Sequence, residues 1–351
     1  MSFIKKHKIL TSVIIVAVSL CMLAFGTCYY FLDKINIDDS NAAAETIGVN
    51  FESIVAAEND IPDFDSLDKD DRKTFDTADE EIRQNLANGK IWKSDSVLNI
   101  LLLGTDYGTA SSTYGRSDAM IILSVNKAVQ KVKLISISRN VYVAIPGFNN
   151  SMISHAHIFG GPALSIKTVE QNYKIGIDNY VSCGFDSFVK IINILGGVRL
   201  TLSEIEAKAM SKYDSSITGA GSYLLNGETA LQYSRQRYFD SDKNRTERQR
   251  KLLSALADKF KSITVKQALK IVNTVLPLVN TDMKKSEIIY QLASAVRYLS
   301  WEREQYYLPA KSYDYVMKNG YYVNFLDWPY ELNYAHELIY EGVIPEYKEQ
   351  S

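Results

Sequence analysis

The sequence predicts an α/β domain, a mixed central β-sheet flanked by helices, carried on an N-terminal transmembrane helix. Three observations carry that expectation. Short runs rich in Val, Ile and Leu (VLNILLLG, AMIILSVN and KVKLISIS) are bounded by turn residues, as buried strands are. Helical patterns alternate with further strands in the middle of the chain and dominate after it. One uncharged stretch near the start is long enough to cross a bilayer.

That stretch, Ile9 to Leu32, contains no charged residue. As a helix it reaches roughly 36 Å, against a hydrocarbon core of about 30 Å. Lys5, Lys6 and Lys8 precede it, and Asp33, Asp38 and Asp39 follow. Basic residues stay cytoplasmic, so residues 1–8 form a cytoplasmic tail, 9–32 a single-pass anchor, and the rest is extracellular. So short a stretch before the span disfavours a cytoplasmic DNA-binding role. A cleaved signal peptide is the competing reading, but its apolar region is normally ~7–15 residues. Ala42-Ala43-Ala44, the one small-residue triplet resembling a cleavage site, lies well beyond the apolar run.

Residues 33–95 are acidic and polar, centred on DFDSLDKDDRKTFD, and read as an extracellular stalk with a helix over Ala78–Ala87. From 96 to 345 the pattern is that of one α/β domain, with 346–351 a tail. After the three apolar strands, PALSIKTVEQNYK is helical, YVSCG a strand, FDSFVKIINILGG a helix stopped by glycine, and VRLTL a strand. Then NGETALQYSR, RTERQRKLLSALADKF, KQALKIVNTVL and KSEIIYQLASAVRYL all carry helical spacing. Whether the part after residue 264 forms its own lobe is open. With 46% hydrophobic and 23% charged residues, the chain is neither disordered nor of low complexity. A net charge of −2 exerts no global pull on nucleic acid, so any anion site must be local. Three cysteines are too few for a disulfide framework; Cys21 and Cys28 fall in the anchor, and Cys183 reads as a small buried apolar residue.

The charged residues suggest chemistry. Asp106 follows the first strand, while Arg116 and Asp118 lie at the start of the second. If those strands pair, the two carboxylates meet at one sheet edge. There they can either cap turns or hold a hard cation such as Mg²⁺, which favours one or two carboxylates plus phosphate oxygens. Arg139 leaves the third strand at the same edge, as an ion-pair partner or a ligand group. Arg235, Arg237, Arg245, Arg248 and Arg250 then fall within sixteen positions. Arg245, Arg248 and Gln249 share a helix face that continues into Leu252, Leu253, Leu256 and Phe260, so the face points inward while Arg250 points to water. Buried cations need an anion, and Asp240 and Asp242 are too few for all of them. Arginine's planar fork suits phosphate or pyrophosphate, and outside the cell a lipid-linked pyrophosphate is the natural source.

Taken in order, GTD, GRSD, SISRN, HIFGG, LNGETALQYSRQR and NRTERQ resemble the LytR-CpsA-Psr family of bacterial cell-wall transferases. The resemblance implies a mixed sheet flanked by helices, an apolar tunnel for a polyprenyl tail, Mg²⁺ and an arginine-rich pyrophosphate site. It matches Asp106 and Asp118 to the metal-side aspartates. Arg116, Arg139, Arg235, Arg237, Arg245 and Gln249 match the pyrophosphate binders, with Asp118 and Arg139 in catalytic roles. It further implies transfer of a glycopolymer (teichoic acid, capsule or related) from undecaprenyl pyrophosphate to peptidoglycan. A non-catalytic, lipid-pyrophosphate-binding envelope regulator is the alternative. Two positions depart from the pattern. Ser138-Arg139-Asn140 stands where Pro-Arg-Asp is usual, and His155 and His157 replace an Ala-Tyr pair. Two histidines lack a third metal ligand, so they read as loop packing.

Overall fold

The computed structural model describes residues 67, 69–87, 89–106, 115–236, 241–261, 271, 273–317 and 320–349. The anchor at 9–32, the first part of the stalk and most of KQALKIVNTVL lie outside the described residues. In chain order the elements begin with helix α1 (Lys69–Ala87) and strands β1 (Lys90–Lys93), β2 (Val97–Thr105), β3 (Ser117–Asn126), β4 (Lys131–Ile137), β5 (Tyr142–Val143) and β6 (Ser151–Met152). Helix α2 (His155–Tyr173), β7 (Asn179–Gly184), α3 (Phe185–Ile194), β8 (Val198–Leu202), α4 (Glu204–Met210), β9 (Gly221–Leu225), α5 (Gly227–Arg235) and α6 (Asp242–Lys261) follow. Then come β10 (Asn280–Thr281), α7 (Lys285–Tyr298), β11 (Glu302–Leu308), β12 (Ser312–Val316), β13 (Tyr322–Leu326), α8 (Trp328–Ile339) and β14 (Glu346–Glu349). Among the described residues no helix is long and apolar enough to cross a membrane.

Six strands form the central sheet in the order β10-β7-β2-β3-β4-β11. β2 pairs parallel with β7 and antiparallel with β3, and β4 pairs antiparallel with β3 and parallel with β11, so the sheet is mixed. Its strands are apolar on both faces because both faces are covered. Leu101, Leu103, Ile122 and Ile135 enter the larger core. Leu98, Ile100, Val125 and Val132 enter a second core on the opposite face, as the two-residue period of a strand requires. VRLTL does not join this sheet. It pairs with β9, burying Val198, Leu200 and Leu202 in a third cluster with α4, α5 and Leu252 of α6.

Two stretches read as peripheral belong to the folded body. Helix α1 starts well before Ala78, and its Phe75, Ala78 and Ile82 enter the larger core. The stripe is narrow within a charged segment, which is why the stretch looks like a stalk. Phe75 meets Tyr142 and Phe325 edge-on, with ring centroids 5.0 and 5.1 Å apart. β1 pairs antiparallel with β14, so the expected tail supplies a strand. The part after 264 is no separate lobe, since β11 extends the main sheet and α8 places Ala335 and Ile339 in the larger core. Removing a core aromatic leaves a cavity, so Phe75→Ala is expected to lower stability by about 3–5 kcal/mol in chemical denaturation. A chain whose stalk helix only bridged to the membrane would show no such loss.

Candidate functional site

The topology brings five strand ends to one edge of the sheet. β2 and β7 end there side by side, β3 starts there, and β4 and β11 end there together. Asp106 follows β2, Asp118 opens β3, and Arg139 follows β4. Ligands of α/β sheets gather at such an edge. The pairing of β2 with β3 is not regular: Gly104 lies opposite Ala119, but Thr105 lies opposite Ser117. Asp118 is therefore the extra residue of a β-bulge, a device that re-aims a side chain. Beside it, Gly115 crosses the Asp106 carbonyl so closely that a Cβ there would sit 1.3 Å from that oxygen. The GRSD sequence thus needs its glycine for the chain to pass Asp106 at all.

Between this edge and helices α3, α5 and α6 lies a cavity of about 520 Å³. Asp106, Asp118, Arg116, Arg139, Arg235, Arg245 and Gln249 all line it, so seven expected site residues from five separate stretches converge. Arg237 lies outside the described residues. The walls share one gradient. β2 contributes Leu102 and Gly104 before Asp106, and β3 contributes Ile121 and Ala119 inward of Asp118. Helix α6 presents Arg245, Gln249, Leu252 and Leu253 in succession. Each wall passes from charge at the sheet edge to hydrocarbon within. Phe185 and Phe188 of α3 close the apolar side, and the Arg235 guanidinium lies 4.4 Å from the Phe185 ring centroid. Their spacing on the first turn after YVSCG was the available signal for these two phenylalanines, which the charge pattern alone does not single out.

Arg139 forms an ion pair with Asp118. Asp242, at the start of α6, lies 2.8 Å from Arg245 and 4.0 Å from the Arg139 Nε, placing one carboxylate between two guanidinium groups. Arg245 is only 3% exposed, and its Nε and that of Arg139 are buried without a hydrogen-bond acceptor. Burial pulls the Arg245 guanidinium below its usual pKa, Asp242 opposes that and the Arg139 charge adds to it. The arginine side of the site thus keeps N–H donors that its carboxylates do not use, which is the chemistry that suits an anion such as phosphate.

The two aspartates are pushed apart. Burial raises the Asp118 carboxyl, but the charges of Arg139, Arg245 and Arg116 outweigh it and leave the pKa below the ordinary carboxylate value. Burial raises Asp106, the Asp118 charge raises it further, and Arg116 offsets only part. Asp106 Oδ1 is buried without a hydrogen-bond partner. Among the described residues no group of three or more His, Cys, Asp or Glu is placed to hold a metal ion by itself. Two carboxylates that line one cavity, one of them with an oxygen that accepts no hydrogen bond, fit a cation that takes its other ligands from phosphate and water.

The histidines are structural. His155 Nδ1 lies 2.8 Å from Ser151 Oγ, and His157 Nδ1 lies 2.7 Å from the Gly115 carbonyl, tying α2 to the loop that carries Arg116. Burial pushes them down to about 3 and about 4, so both rings are neutral. Helix α2 kinks directly after them, with Gly161 at φ +64° and Pro162 starting the second segment. Cys183 lines the apolar wall, and burial pushes its thiol up to about 12. Arg250 is a correction: it is buried at 5% exposure, not turned to water, and its Nη1 lies 3.3 Å from Thr246 Oγ1. Helix α6 packs against β11 as well as the third core, through Arg303 to Ser254 and Gln305 to Ser254, so it has two buried faces where spacing suggests one.

The chain belongs to the LytR_cpsA_psr family, whose model matches residues 64–329. The polyisoprenyl-teichoic acid–peptidoglycan teichoic acid transferase TagT of Bacillus subtilis is 37% identical over 172 residues, 47% of this chain and 53% of that protein. The transferase of the same description named TagU, from Enterococcus faecalis, is 33% identical over 235 residues, 63% of this chain and 75% of that protein. The chain thus spans about half the length of the Bacillus relative. Among solved structures, TagT bound to LIIa-WTA superposes with a TM-score of 0.59 at 30% identity, covering 70% of this chain and 90% of that one. A family protein with bound octaprenyl pyrophosphate lipid gives 0.54 at 28% identity, covering 70% and 89%.

The opposed aspartates set a pH signature. Asp106 has a raised pKa, so its charge opposes folding above that pKa, and the effect fades as pH falls below the unfolded value. Asp106→Asn is expected to melt at or above wild type at neutral pH, with the gain vanishing in acid. Asp118 has a lowered pKa, so its contribution is present at neutral pH and lost as pH falls through the folded value. Asp118→Asn is expected to melt lower at neutral pH, the difference closing in acid. Thermal denaturation across the carboxylate range checks both signs.

Proposed function

We propose that the chain is a membrane-anchored extracellular phosphotransferase that moves a glycopolymer, a teichoic acid, capsule or related polymer, from an undecaprenyl pyrophosphate carrier to peptidoglycan. The observation that carries this is the polarity gradient shared by three cavity walls, which suits an amphiphile with an anionic head and a hydrocarbon tail. Relatives named as teichoic acid transferases and a neighbour holding octaprenyl pyrophosphate support the same reading. The uncharged run at 9–32 supports the anchor and the extracellular placement.

In this mechanism the lipid tail lies against Leu102, Val181, Phe188 and Leu252. The pyrophosphate sits among Arg116, Arg139, Arg235, Arg245 and Gln249, with Arg237 as a further candidate from the adjoining segment. A sugar hydroxyl oxygen attacks the glycopolymer-bearing phosphorus and forms the new phosphodiester. The bond to the bridging oxygen breaks, its electron pair leaves on the lipid phosphate, and the hydroxyl proton passes to Asp118. A low pKa makes Asp118 a weak base, but a loose phosphoryl transition state asks little of the base. The guanidinium groups are oriented before the reaction by Asp118 and Asp242, so charge growing on the departing oxygen meets fixed donors. Asp106 and Asp118 are the residues that would hold Mg²⁺, which when bound neutralises phosphate charge.

The test is turnover of a synthetic polyprenyl pyrophosphate-linked donor by the purified full-length chain with Mg²⁺ and a peptidoglycan acceptor. Polyprenyl phosphate and a phosphodiester-linked product are expected, and chelation should suppress both. Arg139→Ala and Arg245→Ala should each lower turnover by about 10²–10³, with circular dichroism still showing a folded domain. Near-normal turnover by both variants would sink the assignment. Tight binding of the lipid without any turnover by wild type would return the regulator reading.

A further inference from the structure

The cavity accounts for the lipid and the charged head, but the sheet edge continues past it. Along the order β7-β2-β3-β4-β11, the apolar wall occupies the β7-β2-β3 side and the charges lie across β2, β3 and β4. The next strand, β11, ends in Tyr307, and the β12–β13 hairpin follows it. Tyr307 is half-buried, and burial raises its phenol pKa, with Ser138, Asp242, Asp314 and Arg245 also acting on it. It sits beside the turn that carries Arg139, because the Ser138 N–H donates to the carbonyl of the next residue, Leu308, at 2.8 Å. Lys243 Nζ lies 5.9 Å from its ring centroid.

On the hairpin, Asp314 and Asn324 are direct cross-strand partners, as are Val316 and Tyr322. The Asp314 carboxylate accepts from Ser312 Oγ at 2.8 Å and Asn324 Nδ2 at 2.7 Å, and the Tyr322 hydroxyl hydrogen-bonds it as well. Tyr322 is 38% exposed and Tyr313 58%. Asn324, by contrast, is 3% exposed and locked into the turn that carries Arg139. Its Oδ1 accepts from Ser138 Oγ at 2.8 Å, and its backbone N–H donates to the Asn140 carbonyl at 2.9 Å. The hairpin and the Arg139 turn thus form one rigid unit, and a ligand held on the tyrosines is held at a fixed position relative to Arg139.

From this placement we propose that the surface formed by Tyr307 and Tyr322 around Asp314 is the docking subsite for the saccharide acceptor. The inference rests on the transferase reading above. In-line displacement at phosphorus puts the entering and leaving oxygens on opposite sides. With the lipid phosphate departing toward the β7-β2-β3 wall, the entering hydroxyl comes from the β11 side. The groups there have the chemistry for a sugar: amphipathic phenol rings for its C–H faces, and the tyrosine hydroxyls and the exposed Asp314 carboxylate for its hydroxyls. A rigid mount is what aligning a weak nucleophile requires.

The experiment measures separate KM values for donor and acceptor with the full-length chain, a lipid-linked donor and a soluble peptidoglycan oligosaccharide. Tyr322→Ala, an exposed position whose loss leaves the core intact, and Tyr307→Phe are expected to raise the acceptor KM by about tenfold. The donor KM should change less than the acceptor KM in both. Tyr213→Ala, an exposed tyrosine beyond α4 at 51% exposure, is the control and should alter neither constant. Oligosaccharide binding followed by NMR without donor should weaken in the same two variants. An unchanged acceptor KM in both, with transfer intact, overturns the subsite and leaves the transferase reading standing. A wild-type chain that makes no phosphodiester on any saccharide overturns both.

Discussion

The structure depends on a chain of ion pairs that links Arg139 and Arg245 to Asp118 and Asp242 at one edge of the central sheet. Asp242 stands between Arg139 and Arg245, and Asp118 takes the other side of Arg139. Burying a cation without a partner costs several kcal/mol or more; the two carboxylates offset that cost, yet Arg139 Nε and Arg245 Nε are left without an acceptor. The cluster also explains the behaviour of the aspartates, since the arginine charges reach Asp118 strongly and Asp106 weakly.

The scaffold around this cluster is built to keep it in place. Each charged group leaves a strand or helix terminus whose apolar residues lie in a core, so its position is set by burial elsewhere. The bulge at Asp118 and the close passage of Gly115 over Asp106 are local distortions of that scaffold, and they occur at the carboxylate pair. Neutral His157 ties helix α2 to the same loop. On the far side, Asn324 fastens the β12–β13 hairpin to the Arg139 turn. The polarity gradient follows from these placements, because strands and helix alike run from the core outward to a charged end.

Reading the chain without coordinates works where one physical signal dominates. The apolar runs of β2, β3 and β4 are buried on both faces and stand out. The density of arginines around α6 is anomalous in a chain of near-zero charge, and the order of the motifs names a family. The reading goes astray where two environments act on one element. Helix α6 touches the sheet as well as its own cluster, so Arg250 is hidden where a single-faced helix would expose it. Helix α1 is charged over most of its surface, and only Phe75, Ala78 and Ile82 reveal that it is part of the core. The EREQYYL strand and the hairpin after it carry polar residues on exposed faces, and nothing local distinguishes them from loop.

The sequence by itself determined which residue types are available at which strand and helix ends: two carboxylates, the arginines, and leucines in register behind them. Those choices follow from short-range periodicity, which needs no partner. Only the tertiary structure decided that Asp118 is turned by a bulge, that Asp242 is shared by two arginines, and that three walls grade from charge to hydrocarbon around one cavity. Such features depend on pairing register and on contacts between segments tens to hundreds of residues apart, and no local pattern encodes a distance between them.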